Sequence, residues 1–582
     1  MKKLPIFFCL CLLFGAASAR LSAQEKAVLF GICKDSLTGT ELGGTTIMAA
    51  DGKGAAADVV TGEYRLELPA GKHVLEVTYV GYNARKIEIE LAAGEERQLD
   101  IILSETATLL KVATVTSSKF AKALSDVTVS MEVIQPDLMK NRNTVAVNEV
   151  LGAVPGVNMI DDQVDIRGGA GYAQGTGGRV LMLMDDMPIM QADAGLTNWR
   201  DLPTENIAQI EVLKGAASAL YGSAAMNGII NIRTAYPTDK PFTSVSLFHT
   251  SYGSPRDTLN KWWNKTNAPY EVGVQIGHRQ KLTEKLDLVS GFNLYNNQSY
   301  IRGSGVDTTP NYDHKLRATV NLRYRVSERM SISLNTNFNT GRQNRHLFWT
   351  RQLGQSLYEA DPTSIPIRGT NTRITIDPSL TYFDKKQNRH KVLGRYYYIQ
   401  NDNANLQSNR SNFVYGEYQF QRKFENLQGL ELSAGAVVSN TNVTADVYGS
   451  ESFGITNAAA YLQLEKNFIE RLNVSFGFRY ELNHLTAPDS ITFGFRQIAA
   501  GDTTEGRPVI RLGLNYKLTE GTFLRASFGQ AYRFPTILEK FVSTSAGGGV
   551  RVYPNPYLTS ESGWSAEVGV KQGFKIGEWQ GF

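Results

Sequence analysis

The second half of the chain alternates in polarity residue by residue, and nothing else in the sequence restricts the fold as much. Across residues 472–481, Leu472, Val474, Phe476, Phe478 and Tyr480 share one face of an extended strand, and Asn473, Ser475, Gly477, Arg479 and Glu481 share the other. Residues 316–325 repeat this, with Leu316, Ala318, Val320, Leu322 and Tyr324 opposite Arg317, Thr319, Asn321, Arg323 and Arg325. A soluble sandwich also buries one face of each strand. Arginines in mid-strand suit instead a wall with lipid outside and water inside. The connections agree. Short polar turns fall at 281–285, 326–329, 384–389, 422–428, 467–471 and 517–521. Long loops fall at 250–269, 296–313, 341–372, 401–411, 441–454, 483–506 and 531–563. Short and long alternate throughout, as in a membrane barrel with tight turns at one end. The pattern predicts about fourteen complete strands, with a fifteenth starting near Gly577.

The start of the chain reads as a secretory signal, residues 1–23. Lys2 and Lys3 precede an apolar run at 6–14, and small residues at 17–19 and 21–23 offer cleavage sites, the favoured one before Gln24. Cys9 and Cys11 fall in this segment, so Cys33 alone remains and no internal disulfide is expected. No later stretch has the run of about 20 apolar residues that a membrane helix needs, so a membrane location requires a barrel. Net charge is only +4, from 60 basic and 56 acidic residues, and no basic stripe marks a nucleic-acid partner. Residues 27–104 hold short alternating runs at 30–33, 45–49, 63–68, 73–79, 85–91 and 97–103, separated by glycine turns. That spacing predicts a β-sandwich. Residues 105–126 are rich in Thr, Ser, Ala and Val and lack helical periodicity, as a linker would. Beyond it come a strand at 127–134, a short helix at 145–154 ended by Pro155-Gly156, and a buried strand at 179–188. Residues 210–213 and 229–233 alternate as strands on either side of turns at Gly215 and Gly228 and a run of small residues.

That last stretch, IEVLKGAASALYGSAAMNGIINIRT at 210–234, resembles the end of the plug domain of TonB-dependent outer-membrane receptors. The resemblance rests on Ile210, Glu211, Lys214, Gly215, Tyr221, Gly222, Asn227, Gly228 and Asn231, and departs at Ala216, where the family usually has Pro. LGAVPGVN at 151–158 and VDIRGGAG at 164–171 resemble earlier plug signatures. After the strand RVLMLMDDMP the family normally has Asp-Gly, but Met187 follows Asp186 here, which puts the local turn in question. Fragments within 31–47, 62–82 and 99–103 resemble the carboxypeptidase-regulatory-like domain that precedes the plug in receptors of Bacteroidetes type. That domain carries no catalytic residues. Val112, Ala113, Thr114, Val115, Thr116 and Ser117 resemble a TonB box, an extended segment that adds as a strand to an energising periplasmic protein. The expected fold is therefore mainly β. It comprises a β-sandwich (27–104), a linker (105–126), a mixed α/β plug (127–235) and an antiparallel transmembrane β-barrel (240–582). Plugged transporters have 22 strands, so the barrel is expected to be incomplete, at about 14–15 strands, and the sequence to stop short of the whole protein by roughly 200 residues.

The resemblance implies active import of a scarce ligand across the outer membrane, with the first domain in the periplasm. The implied partners are a TonB-type energy-transducing protein, outer-membrane lipid and a small-molecule ligand. A siderophore or other metal chelate is favoured. A glycan importer of the starch-utilisation type, paired with a surface lipoprotein, and a non-transporting adhesin barrel remain open. No cofactor or metal is expected. An enzyme is disfavoured, because the seven histidines are scattered and no nucleophile has a visible base partner. Gly168, Gly169 and Gly171 precede no helix at nucleotide-binding spacing. Candidate ligand contacts are Arg167, Tyr172 and Trp199 on plug loops, Trp262 and Trp263 on the first barrel loop, and Arg342, Arg345, His346, Trp349 and Arg351 on the third. For Arg167, bracing of the plug within the barrel is the preferred role.

Overall fold

The computed structural model describes residues 26–581 apart from 36–40, 51, 59–60, 80–81, 83–84, 104–113, 116–118, 120–121, 124–126, 143, 161, 170–176, 239, 306, 347–355, 405, 428, 470, 494–495, 520–521, 548–549, 573 and 577–578. The signal segment, Val112, Ala113, Thr116, Ser117, Tyr172, Trp349 and Arg351 lie outside the described residues. The chain divides after residue 112 into two compact units.

The first unit is built from two sheets around one core. Lys26–Asp35 pairs antiparallel with Glu63–Pro69 and parallel with Glu96–Gln98 and Ile101–Leu103. The second sheet runs Gly54–Ala56, Thr46–Ala49, Gly71–Thr78, Arg85–Leu91. Alternation sets the faces: Tyr64, Leu66 and Leu68 point in, while Glu63, Arg65 and Glu67 point out. The strand expected at 97–103 breaks into two. Its break at Leu99-Asp100 is held by Leu99 N donating to the Phe30 carbonyl at 2.8 Å and Ile32 N donating to Asp100 at 3.1 Å. Gly31 permits the close approach, since a Cβ there would lie 2.2 Å from the Leu99 carbonyl oxygen. Cys33 is fully buried in this core, and burial pushes its thiol up to about 11. Thiol titration at pH 8 should therefore find no reactive cysteine in the folded unit and one after unfolding in urea.

In the second unit, the plug centres on a five-stranded sheet. Its order is Met131–Ile134, Ile207–Lys214, Gly228–Thr234, Val180–Met184, Met187–Pro188. Ile210, Val212, Ile230 and Ile232 are completely buried between the layers. The strand expected from 127 starts only at Met131, and the helix expected over 145–154 contracts to Asn148–Leu151. Two further helices, Pro136–Asn141 and Ser218–Tyr221, had no sequence signal, the second lying inside the small-residue run. The questioned turn is made by Asp185 and Asp186, both with positive φ (51° and 75°). Asp tolerates that region because its short side chain bonds locally. Thr234 donates to Asp185 from N and Oγ1 at 3.0 and 2.8 Å, and Asn231 donates to Asp186 at 3.1 Å.

The barrel strands form one 14-stranded antiparallel sheet in sequential order. They are β1 Phe242–Ser251, β2 Tyr270–Lys281, β3 Leu286–Arg302, β4 Pro310–Ser327, β5 Met330–Arg345, β6 Ile367–Phe383 and β7 Arg389–Asn403. The series continues with β8 Asn409–Phe424, β9 Leu430–Ala445, β10 Ser452–Phe468, β11 Leu472–Thr486, β12 Thr503–Thr519, β13 Thr522–Arg533 and β14 Glu561–Gln572. Among the described residues β1 pairs only with β2, and β14 only with β13. The expected fifteenth strand is instead a small hairpin of Phe574–Ile576 with Trp579–Gly581. The faces divide as the alternation requires: on β11, Phe476, Tyr480 and Leu482 are exposed while Ser475, Arg479 and Glu481 are buried. All six short turns fall where expected. The loop expected at 401–411 shrinks to 404–408, because β7 and β8 continue to a side-chain bond from Asn401 to Asn409 at 2.6 Å.

Candidate functional site

The plug occupies the bore, and buried charges on the inward faces of the strands hold it. Lys315 on β4 meets Asp201 at 2.5 Å, and Arg317, two residues on, pairs with Glu205 and donates to the Arg200 carbonyl at 2.8 Å. Arg373 on β6 also faces Asp201, at 3.4 Å. Burial penalises the ionised Asp201 carboxylate, but Lys315 and Arg373 outweigh this and lower its pKa. Arg395 on β7 is clamped by Asp377 at 2.5 and 2.8 Å and donates to the Met187 and Pro188 carbonyls at 3.0 and 2.6 Å. Asp186 takes Arg233 at 2.7 Å and Lys391 at 2.9 Å; burial opposes its charge, yet these two cations hold the carboxyl well below the usual range.

The plug signature residues are structural. Lys214 is buried and bonds Glu132 at 3.3 Å and the Pro155 carbonyl at 2.8 Å, while Glu211 meets Arg233 at 3.4 Å. Gly215 turns at φ +97°. Arg167 reaches Glu567 on β14 at 2.8 Å.

Several of the described ligand candidates make contacts within the protein. Trp199 is only 6% exposed, packed in the plug core with its indole donating to the Asp162 carbonyl at 2.7 Å. It is therefore not a loop residue awaiting a ligand. His346 is buried against Asn311, its Nδ1 lying 2.8 Å from Asn311 Oδ1. Arg342 shares the outward face of β5 with Phe338, opposite the buried Asn337 and Asn339, and so points away from the bore. Arg342→Ala is accordingly expected to change stability by no more than about 0.5 kcal/mol, checked by the temperature at which the folded band is lost in a heated gel. Arg345 reaches plug residue Asp162 at 3.4 Å.

Among the described candidates, Trp262 and Trp263 meet. They stack edge-on at 5.6 Å within a cluster the sequence did not reveal. Trp263 stacks on Tyr358 at 6.3 Å, Tyr358 on Tyr300 at 4.8 Å, and Tyr300 on Tyr252 at 5.3 Å, with the Arg302 guanidinium 5.1 Å from the Trp262 ring. These rings come from the end of β3, which carries Tyr300, and from the connections after β1 and β5 at the long-loop end. They are far apart in sequence and share no local motif.

Two further features escaped sequence reading. A cavity of about 170 Å³ lies between the plug and the wall from β8 to β11, lined by Leu181, Leu183, Leu220 and Tyr221 of the plug and by Tyr415, Val437, Ile455 and Asn483 of the wall. The last long loop folds back over the plug. Its helix Ile537–Phe541 starts with a capping box of Thr536 and Glu539, and Leu538 N donates to the Asp193 carbonyl at 2.9 Å. Arg533 bonds Glu539 at 2.7 and 2.8 Å and Glu561 at 2.8 Å, and Glu561 also takes plug residue Arg179 at 2.7 Å.

Residues 234–581 match the family profile described as TonB dependent receptor-like, beta-barrel. The chain belongs to the TonB-dependent receptors. Residues 123–229 of this receptor match the TonB-dependent Receptor Plug Domain and 29–115 a CarboxypepD_reg-like domain. As a TonB-dependent receptor it is an outer-membrane protein of a non-enzymatic family. One relative, the vitamin B12 transporter BtuB of Photobacterium profundum, is 30% identical over 141 residues, 23% of this chain and 22% of that protein. Another, the ferric enterobactin receptor PirA of Pseudomonas aeruginosa, is 30% identical over 141 residues, 21% of this chain and 18% of the relative. These matches span about a fifth of the relatives' length. The crystal structure of the siderophore receptor PirA from Pseudomonas aeruginosa superposes with a TM-score of 0.58 at 17% identity, covering 79% of this chain and 73% of that one. The ferric yersiniabactin uptake receptor FyuA from Yersinia pestis gives 0.58 at 15%, covering 77% and 70%. At these identities the likeness concerns the fold.

Proposed function

We propose that this receptor imports a scarce ligand, a siderophore or other metal chelate, across the outer membrane, powered by a TonB-type protein in the periplasm. The observation that carries the reading is the plug itself. It occupies the bore and is held to the wall by buried ion pairs, Lys315–Asp201 and Arg317–Glu205 among them, so passage requires work on the plug. Such work enters through strand addition at residues 112–117. Thr114–Val115 is already β-paired, to Lys122–Ala123, so an incoming partner strand has a native pairing to displace. The aromatic cluster at the long-loop end supplies ring faces suited to a flat chelate, with Arg302 held beside it by Glu359 at 2.9 Å. The siderophore receptors among the relatives and solved structures support this ligand class. The match to a vitamin B12 transporter favours cobalamin as the second reading.

The test deletes residues 112–117 in the intact gene and follows radioactive ferric catecholate and cyanocobalamin. The expected result is uptake reduced at least tenfold, to background, with binding of the same compound to the cell surface retained. Uptake equal to that of the parent receptor overturns import through this segment. Unchanged cell adhesion with no uptake of any compound in either strain supports the adhesin barrel instead.

A further inference from the structure

The outward faces of β8 to β11 form a trough on the lipid side of the wall. Strand register sets Tyr418, Ala436, Ala460 and Tyr480 directly opposite one another, in one row across the four strands. The next row towards the short turns holds Phe420, Ala434, Leu462 and Phe478, and the next towards the long loops holds Gly416, Val438, Ala458 and Leu482. These positions alternate with buried, bore-facing neighbours such as Gln419, Gln463 and Arg479, so they face lipid. Rings on β8 and β11 therefore stand on either side of a floor two strands wide, made mostly of alanine methyls. At about 4.8 Å per strand interval the bounding strands lie about 14 Å apart. On β5 to β7 the same face is filled by Phe338, Ile376, Val392 and Tyr396.

Two cations stand at the short-turn end of this trough. Arg422 lies opposite Leu432, which lies opposite Leu464, and Lys466 lies opposite Val474. The Arg422 guanidinium is 4.3 Å from the Phe424 ring and the Lys466 ammonium 4.9 Å from the Phe468 ring. Each cation shares the outward face with its ring, two residues on. Glu465, next to Lys466 in sequence, turns into the bore and is 7% exposed. Among the described side chains neither cation meets a carboxylate. From Arg422 to Gly416 the strand runs about 20 Å. A tilt of about 40° turns this into roughly 15 Å of depth, half of a hydrocarbon core of about 30 Å. The trough thus spans one leaflet, with positive charge at the level of the headgroup phosphates. A second copy of the chain, related by a two-fold axis along the membrane normal, would bring its own Arg422 and Lys466 against the same two cations. An anionic lipid meets no such repulsion.

We propose that this trough holds one anionic phospholipid of the periplasmic leaflet, its phosphate between Arg422 and Lys466 and its acyl chains on the alanine floor. The site is independent of the imported ligand. In the test, the full chain is refolded in a neutral detergent and mixed with equal amounts of phosphatidylglycerol and phosphatidylcholine of the same acyl composition. Its intact mass is then measured in the gas phase. Retention of one phosphatidylglycerol, at least tenfold over phosphatidylcholine, is expected. A cation near a headgroup is worth about a factor of five. Arg422→Gln and Lys466→Gln should therefore each weaken retention about fivefold, and together about 25-fold. Ala436→Phe fills the floor while keeping both cations, and should weaken retention at least tenfold. Lys285→Gln, on the short turn between β2 and β3, should change nothing, and glycerol phosphate at the lipid's concentration should not displace the lipid. Each protein is first checked for a heat-modifiable folded band. Equal retention of the two lipids overturns the proposal, as does unaltered retention in Ala436→Phe or in the double cation variant. Displacement by glycerol phosphate, or a loss in Lys285→Gln equal to that in Arg422→Gln, overturns it as well. A doubled mass without lipid assigns the trough to a second copy of the chain and refutes the lipid site.

Discussion

Arg395→Met is expected to weaken the hold on the plug by about 1.5–3 kcal/mol, the usual worth of hydrogen bonds from a charged donor, and to destabilise the wall itself by breaking a buried ion pair. Asp377 is 2% exposed and receives both of its close bonds from Arg395, so it is left as a buried charge without its cation. The Met187 and Pro188 carbonyls lose their donor at the same time. At 1.4 kcal/mol per factor of ten, local opening around 185–188 should rise by about one to two orders of magnitude. Limited proteolysis of the receptor in lipid, scored at the plug, reads this directly. Adding Asp377→Leu should recover the stability of the wall, because an apolar pair needs no compensation, but not the hold on 185–188, whose carbonyls still lack their donor. A parent-like cleavage rate in Arg395→Met would refute the clamp.

Gly228→Ala is expected to prevent the plug sheet from forming, a loss of about 4 kcal/mol or more. Gly228 has a φ of +153°, and a Cβ on it would lie 2.2 Å from the Leu213 carbonyl oxygen and 2.8 Å from Ile166 Cδ1. The first clash is with backbone in the paired strand, so no rotamer change relieves it. The plug should become fully protease-sensitive while the barrel keeps its heat-modifiable band. Gly152→Ala is the control: it has φ −64° and nothing within 4 Å of the added carbon, so it should be neutral or gain about 0.4–1 kcal/mol. Similar behaviour of the two variants would show that the Gly228 turn can relax.

What the sequence revealed of this receptor was what strict periodicity encodes. The two-residue repeat marks the lipid and bore faces of β4 and β11, and polar breaks mark the short turns. Three kinds of feature were not legible. Helices of four to six residues, such as Ser218–Tyr221 and Pro136–Asn141, are too short for a 3.6-residue period to show. Residues near a strand end, such as Arg342, looked like loop residues because nothing local says where pairing stops. Contacts between distant segments have no local signature: Lys119 and Glu417 are 298 residues apart, and Trp199 resembles an exposed loop aromatic until the plug core closes around it. The ligand candidates fared worst for this reason. A tryptophan in a loop carries no mark of whether it faces solvent or its own fold.

Arg533 grips both Glu539 and Glu561, and Glu561 in turn grips Arg179, so the last long connection is wired into the stopper beneath it. This has a consequence for grafting. Exchanging that connection with one from another receptor, in order to transfer its taste in cargo, would take Glu539 away from Arg533 and leave Glu561 to serve both Arg533 and Arg179. A working hybrid would have to carry an acidic residue where Glu539 stands, so that the chain of charges running through Arg533 and Glu561 to the plug is kept.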